Sequence, residues 1–112
     1  MKNTVILVTK NGMGTAEEFL QHTLFGKYLD LLLQTGDLPN AICFYTEGVR
    51  LVCKGSPFIE QLQQLETKGV RLIVCSTCLN YYDLTDKVQT GIVGGMGDII
   101  EAQSKAEKVI SI

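Results

Sequence analysis

Short runs of apolar residues recur along the chain and predict buried strands. Residues 4–9 form a continuous β-branched and apolar run, and residues 40–46 and 70–74 form two more. Runs of this kind are typical of strands that are covered on both faces. A brief apolar segment at residues 92–93 and a final one at residues 108–112 are weaker, and we predict the last to be an edge strand. The pattern therefore predicts four to five strands.

Apolar residues at spacings of three and four predict helices between these strands. Thr15 and Glu18 match a capping box, in which Thr15 is the N-cap of the first helix and Glu18 reaches back to its amide. Ser56 as N-cap and Pro57 at the first helical position predict the start of a second helix. Asp98 is the predicted cap of a third helix, of about eight residues. The predicted apolar face of the first helix comprises Phe19, Leu20, Thr23, Leu24, Tyr28, Leu31 and Leu32.

The alternation of strands and helices predicts an α/β fold. Such folds have a mainly parallel sheet with right-handed crossovers, and we expect helices on both faces. A chain of 112 residues can bury one core, so we predict a single domain over residues 1–112. Two segments stay undecided: residues 49–53 are a strand extension or a turn, and residues 79–91 are a short helix or a turn.

Composition and charge exclude several classes of function. The net charge is -2 and no run of Lys or Arg is present, which argues against a nucleic-acid partner. The longest apolar runs are too short to cross a bilayer, so no membrane association is predicted. The N-terminus leads almost at once into a strand and shows no signal-peptide pattern. We therefore expect a cytoplasmic protein.

The four cysteines do not predict a disulfide framework, because such frameworks are typical of small, loop-rich secreted chains. Cys43 lies within the second apolar run, where a free thiol is commonly a buried small hydrophobe. Cys53 follows Leu51 and Val52, and packing is again the favoured interpretation. These two cysteines are expected to be structural.

Cys75 and Cys78 follow the third predicted strand, where it gives way to a predicted loop that contains Ser76 and Thr77. In open α/β sheets, ligands bind beyond the carboxyl ends of the strands. One interpretation is half of a metal site, but structural zinc needs four ligands and the only histidine, His22, lies in the first helix. Thioredoxin-like thiol–disulfide exchange, a sulfur-relay thiol and inert packing are the other interpretations.

The order of elements places further residues at the same end of the sheet. Asn11 and Gly12 follow the first strand, and Tyr45, Thr46 and Glu47 follow the second. Glu47 is a candidate to move protons or to hydrogen-bond a thiol, although its charge would raise the pKa of a neighbouring cysteine. The glycines near these strand ends lack the spacing of nucleotide-binding motifs, so no cofactor is predicted.

Four segments of the chain match the pattern of a known family: residues 5–12, residues 48–49, residues 98–110 and, above all, residues 65–82. In these segments the chain resembles the DsrE/DsrF-like family, and it is most similar to the C-terminal domain of YedF-type sulfurtransferases linked to selenium metabolism. The resemblance implies a three-layer α/β/α domain, with a sheet of about five strands, that forms homo-oligomers (trimers or hexamers). It also implies that the active cysteine follows a strand preceded by Gly-Val, which here is Cys75. Cys78 corresponds to an addition in the YedF-like branch.

Two hypotheses about function follow. In the first, the protein is a sulfur (or selenium) carrier, in which Cys75 accepts persulfide sulfur and Cys78 resolves it. A TusA-like sulfur-carrier protein or domain is the partner that the resemblance implies for this activity. In the second, the chain is a non-catalytic oligomeric assembly or partner-binding module, and its thiols belong to the core or to an interface.

Overall fold

Five strands and four helices alternate along the chain in a computed structural model that describes residues 1–112. A 3₁₀ helix, Thr46–Val52, follows the second strand. The sheet has the order β4-β3-β2-β1-β5, and every pair of neighbours is parallel. This arrangement confirms the predicted α/β fold with a five-stranded parallel sheet. The elements are β1 (Thr4–Val8), α1 (Glu18–Thr35), β2 (Ala41–Phe44), α2 (Ile59–Thr67), β3 (Arg71–Cys75), α3 (Ser76–Tyr81), β4 (Ile92–Gly94), α4 (Met96–Lys105) and β5 (Lys108–Ser111).

The strand order places helices on both faces of the sheet. The chain moves from β1 to β4 in one direction across the sheet, and then returns past all of these strands to β5 at the other edge. Because parallel crossovers are right-handed, α1 and α2 lie on one face and α4, which makes the return, lies on the other. Helices α1 and α2 contact each other, and α4 contacts β3.

The hydrophobic core is centred on the three inner strands. Every residue of β1 and β2 is buried, as is every residue of β3 except Arg71. The two edge strands are largely exposed, which confirms the prediction that the last strand lies at an edge. Strand β2 ends at Phe44, two residues earlier than predicted, because Thr46 turns into the left-handed region with φ of 46°.

The predicted apolar face of α1 is wrong. The buried residues of α1 are Phe25, Leu29 and Leu32, of which only Leu32 was in the predicted set, and the predicted Tyr28 packs half-buried against the core. Phe19 and Leu31 are 82% and 57% exposed. The helix carries apolar side chains on more than one side, so spacing alone could not identify the side that meets the sheet.

The predicted start of α1 is also wrong. The helix begins at Glu18, and its N-cap is Glu17, whereas Thr15 precedes the helix. Glu18 does not reach back to Thr15, because its carboxylate accepts a hydrogen bond of 2.8 Å from the side-chain amide of Asn11. The Glu18 carboxylate, which a capping box would need, is therefore bonded to Asn11 in the loop after β1.

The other two predicted caps are displaced by two or three residues. Helix α2 begins at Ile59, and the Ser56 hydroxyl accepts the Phe58 N–H at 3.2 Å in the turn before it. Helix α4 begins at Met96, so Asp98 is its third residue and accepts the Gly95 N–H at 2.8 Å. Both polar side chains stabilise a helix start, but neither occupies the N-cap.

The two undecided segments are mainly helix and turn, and an isolated antiparallel bridge between Cys53 and Val88 joins them. Residues 49–52 belong to the 3₁₀ helix, and residues 79–81 complete α3.

None of the helices combines the length and the apolar composition that a membrane crossing requires.

Candidate functional site

The thiol pair lies where β3 leads directly into α3, at the carboxyl end of the sheet. Cys75 is the last residue of β3 and also the N-cap of α3, and Cys78 lies in the first turn of that helix. Ser76, Thr77 and Cys78 are therefore helical, which corrects the predicted loop. One turn of helix brings residues three apart to the same side, so the two thiols are neighbours.

The two thiols differ in access to solvent. Cys75 is 1% exposed, because its side chain is enclosed at the end of the sheet. Cys78 is only half-buried, and the neighbouring Cys75 thiol is one of the groups that raise its pKa. All four cysteines are free thiols, and Cys43 and Cys53 are buried as predicted. Cys78 is thus the member of the pair that a reagent can reach.

A backbone amide points at the Cys78 sulfur. The N–H of Thr46 donates a hydrogen bond to Cys78 Sγ, with an N···S distance of 3.0 Å. Thr46 has a left-handed backbone, which is uncommon for a residue other than glycine. Its hydroxyl lies within hydrogen-bond distance of the carbonyls of Thr9 and Tyr45. These contacts hold the Thr46 N–H in place over the thiol.

Gly48 allows the Thr46 loop to lie against the end of β1. A Cβ atom at Gly48 would come within 2.1 Å of the carbonyl oxygen of Val8, which no side chain can tolerate. The Gly48 N–H donates to the carbonyl of Tyr45 at 3.0 Å and closes the turn. The glycine is therefore required by the close approach of two backbones, and this approach positions Thr46.

The environment of Cys78 favours the protonated thiol. Burial raises its pKa above the ordinary value of 9.0, the Thr46 N–H lowers it, and the neighbouring Cys75 thiol raises it again. The balance is a raised pKa. Because the thiolate is the nucleophile, only a small part of Cys78 is reactive at neutral pH.

Asn11 and Gly12 lie after β1 but do not contact the thiols. The Asn11 side chain hydrogen-bonds to Glu18, and its oxygen lies 3.3 Å from Nε2 of His22. Gly12 packs against α1, where a Cβ atom would come within 2.6 Å of the backbone of Gln21. The structure therefore gives these two predicted site residues a role in the loop that joins β1 to α1.

The remaining predicted residues surround the thiols without bonding to them. Tyr45 is half-buried and its N–H donates to the carbonyl of Val8 at 3.1 Å. Glu47 is exposed in the 3₁₀ helix and forms no hydrogen bond with either thiol. Ser76 and Thr77 are exposed in the first turn of α3. They form the rim of the site.

Arg50 and Tyr82 form a contact that the sequence did not indicate. The Arg50 guanidinium lies over the Tyr82 ring, 4.3 Å from its centre, and joins the 3₁₀ helix to the end of α3. The two residues are far apart in the sequence, and neither belongs to a motif.

The structure contains no group of three or more His, Cys, Asp or Glu side chains that could hold a metal ion.

Comparison with solved structures shows the same fold in several proteins. The ychN protein from E. coli matches with a TM-score of 0.71 at 16% identity, and each chain is covered completely. MTH1491 from Methanobacterium thermoautotrophicum, a protein of unknown function, matches with a TM-score of 0.71 at 18% identity over 97% of each chain. BT1422 from Bacteroides thetaiotaomicron, also of unknown function, has a TM-score of 0.69 at 16% identity, covering 98% of this chain and 95% of its own.

Sequence comparison gives the family directly. No curated protein matches the chain. The model of the DsrE/DsrF-like family matches residues 2–112, which is nearly the whole length. That match agrees with the parallel sheet and with the resemblance centred on the Cys75–Cys78 segment. The chain belongs to the DsrE/DsrF-like family.

Proposed function

We propose that this protein carries sulfane sulfur, with Cys78 as the accepting thiol and Cys75 as the resolving thiol. The observation that supports the proposal is the half-buried Cys78 thiol, which contacts Cys75 and receives the Thr46 N–H. The family is associated with sulfur relay, which agrees with this use of the pair. The order of the two thiols is the reverse of the predicted one, because Cys75 is 1% exposed and a bulky donor cannot reach it.

The first step is transfer of one sulfur atom from a donor persulfide. The Cys78 thiolate attacks the outer sulfur of the donor, and the bond between the two donor sulfurs breaks. The donor thiolate leaves and takes up the proton that Cys78 released. The products are a Cys78 persulfide and a donor thiol, and no net oxidation occurs. The Thr46 N–H stabilises the Cys78 thiolate as it forms.

The persulfide then has two fates. An acceptor thiolate can attack its outer sulfur, which passes the sulfur on and restores the Cys78 thiol. Alternatively, the Cys75 thiolate attacks the inner sulfur, which forms a Cys75–Cys78 disulfide and releases hydrogen sulfide. In that second case the sulfane sulfur is reduced and the two thiols are oxidised, so a cellular dithiol reductant must then reduce the disulfide.

The partners and the finer relations belong to the proposal. A TusA-like sulfur carrier is the donor or acceptor that the YedF-type resemblance implies, and closeness to YedF-type proteins is supported by the second thiol at Cys78. A selenium atom that arrives as the terminal atom of a donor selenosulfide (R–S–SeH) follows the same steps, because it stands at the same oxidation level as sulfane sulfur. Free thiols of this kind suit a reducing compartment such as the cytoplasm.

Intact mass after incubation with inorganic polysulfide tests the proposal. The Cys75→Ser variant is expected to gain one sulfur atom that a reductant removes, because its persulfide has no resolving thiol. The unaltered protein is expected to form the Cys75–Cys78 disulfide, and Cys78→Ser to gain nothing. Cys53→Ser is the matched control, since Cys53 is buried outside the pair and its loss should change neither outcome.

Two results would contradict this assignment in different ways. Sulfur uptake by Cys78→Ser and none by Cys75→Ser would reverse the roles and restore the order predicted from the sequence. No uptake by any variant, with thiols that alkylate only in denaturant, would remove the carrier function.

A second candidate function is an assembly module, and exposed apolar side chains favour it. Phe19, Leu20, Leu24 and Leu31 on α1 are exposed, as are Ile92 and Val93 on the edge strand β4. Surface area of this kind is commonly covered by a partner. Self-assembly into a trimer or hexamer is compatible with both functions, so light scattering on the purified chain would measure the oligomer. Only the thiol experiment would separate the two functions.

A further inference from the structure

A polar cleft that no cysteine lines lies next to the 3₁₀ helix. It has a volume of about 240 Å³ and is formed where the start of α1, the 3₁₀ helix and the turn before α2 meet. Its lining includes Asn11, Glu18, His22, Arg50, Lys54 and Ser56, and no cysteine. Pockets that take drug-sized ligands are larger, so this cleft suits a small ligand.

The cleft has an excess of positive charge. Arg50 and Lys54 both line it, and neither forms a salt bridge, since the only salt bridges in the structure join Met1 to Asp37 and Lys105 to Glu101. Glu18 is the one carboxylate in the lining, and one of its oxygens is already hydrogen-bonded to the Asn11 amide at 2.8 Å. Two cations therefore face a single carboxylate, one oxygen of which already accepts a hydrogen bond.

Arg50 is held in position without a carboxylate. Its guanidinium rests on the Tyr82 ring at 4.3 Å, which occupies a face of the group but leaves the N–H donors at its edge free. An arginine oriented in this way is suited to a planar, paired contact with an oxyanion. The cation–π contact thus orients the side chain beside the cleft.

A neutral donor, the Ser56 hydroxyl, completes the lining, and the His22 ring lies in the same cleft. The Ser56 oxygen accepts the Phe58 N–H at 3.2 Å, so its own proton is free to donate. The His22 ring lies edge-on to Phe58, with centres 5.3 Å apart, and one ring nitrogen faces Asn11. Hydroxyl, ammonium and guanidinium groups are together donors that suit a tetrahedral oxyanion.

We propose that this cleft binds a small tetrahedral oxyanion of the sulfate or phosphate type. The site is independent of sulfur transfer, because no thiol lines it and its cations are not needed for the steps at Cys78. The 3₁₀ helix connects the two sites, since Thr46 at its start donates to Cys78 and Arg50, which lines the cleft, follows four residues later, about 8 Å along such a helix. Because no thiol lines the cleft, anion binding can be measured in a variant that lacks the thiols.

The proton resonances of His22 report on the cleft, because this is the only histidine in the chain. The probes are sodium sulfate and sodium phosphate, titrated against sodium chloride and sodium acetate at equal ionic strength. We expect a saturable shift of the His22 resonance with the two tetrahedral anions and none with chloride or acetate. Phosphate binding tighter than sulfate would identify the phosphate type as the preferred ligand, and the reverse order the sulfate type.

Charge-removing variants test the residues. Arg50→Gln and Lys54→Gln are each expected to weaken the apparent affinity about tenfold, the loss of one charge-assisted contact. Lys68→Gln is the matched control, because Lys68 is exposed at the far end of α2. Cys78→Ser should bind as tightly as the unaltered protein, so a failure of sulfur uptake would not count against the anion site.

Two outcomes would overturn the proposal. The first is a shift that follows ionic strength alone and is equal for chloride and for sulfate. The second is unchanged binding in both Arg50→Gln and Lys54→Gln. If Arg50→Gln unfolds because it loses the Tyr82 contact, Lys54→Gln alone decides the matter, since Lys54 is exposed and makes no such contact.

Discussion

At the scale of single residues, the chemistry of the thiol pair depends on a backbone approach rather than on a catalytic side chain. Gly48 lets the loop after β2 lie against the carbonyl of Val8, and Thr46 then directs its N–H at Cys78. No acidic or basic side chain hydrogen-bonds to either sulfur. The thiolate is thus stabilised mainly by one amide, against the desolvation caused by burial.

We predict that Gly48→Ala strongly destabilises the fold. A methyl group at this position would meet the Val8 oxygen at 2.1 Å, so the two backbones must separate. The expected loss of unfolding free energy is about 3 kcal/mol, in the range of overpacking and backbone strain. Urea denaturation measures it. Gly97→Ala in α4 is the control, because nothing lies within 4 Å of its added Cβ and the change should be neutral or stabilising. Equal stability of the two variants would contradict the role of Gly48.

We predict that alkylation of Cys78 accelerates with pH up to an inflection above pH 9. The pKa of this thiol is raised by burial, so its thiolate is less populated at neutral pH than that of an ordinary cysteine. Iodoacetamide labelling of native protein, with the modified cysteine identified by peptide mass, gives the rate at each pH. The same protein in denaturant should show an inflection at the ordinary value. A native inflection below that of the denatured chain would contradict the predicted direction.

At the scale of elements, α1 shows how an apolar helix can have two sides with different roles. Phe25, Leu29 and Leu32 pack on the sheet, while Leu20, Leu24 and Leu31 face outward. The outward leucines are separated by four and seven residues, so they form a stripe along the helix. This stripe adds nothing to the core of one chain, and it is the surface that self-assembly would cover.

We predict that Leu29→Ala and Leu24→Ala separate the two sides of α1. Leu29 is fully buried, so its truncation should cost about 2–5 kcal/mol of unfolding free energy. Leu24 is 39% exposed, and its truncation should cost less than about 1 kcal/mol in the dissociated chain. Denaturation at low protein concentration measures both. A cost for Leu24→Ala that appears only at high concentration would place the outward stripe in an interface between copies. Equal costs at low concentration would contradict the observed orientation of α1.

At the scale of the whole molecule, the parallel sheet encloses thiols deeply enough to couple stability to pH. Cys43 is fully buried in the central strand β2, and burial raises its pKa to about 11, with a smaller opposing effect of Arg71. Burial also raises the pKa of Cys53, with a smaller opposing effect of Arg50. The folded state therefore holds these protons at a pH where the unfolded chain has released them.

We predict that the unfolding free energy falls as pH rises from about 9 to about 11. In this window the unfolded state binds fewer protons than the folded state, so stability decreases with pH, whereas it is fully present below pH 9. The part due to Cys43 is about 2 kcal/mol. Urea denaturation under reducing conditions measures the profile. Cys43→Ala should be less stable at neutral pH but should show a shallower decline. An identical slope in the variant would show that Cys43 does not couple stability to pH.

The sequence alone was enough to predict the α/β fold class and the place of the thiol pair at the end of the third strand. Short apolar runs bounded by glycine and polar residues are typical of strands covered on both faces, and alternation with helices favours parallel neighbours. The run that ends at Cys75 had to place its thiols at the carboxyl end of the sheet. These features follow from local composition and from the order of elements, and both can be obtained from the sequence of one chain.

Which surfaces and atoms meet became visible only in the folded chain. The buried side of α1, the exposure of Cys78 rather than Cys75, the Thr46 N–H on the sulfur and the Arg50–Tyr82 contact all join residues that are distant in the sequence or equivalent in pattern. The predicted helix caps were wrong for the same reason. The Asn11 side chain bonds to Glu18, and Ser56 lies in a turn before α2 rather than at its N-cap. Periodicity shows that a residue is apolar or polar, but its partner is set by how the elements pack.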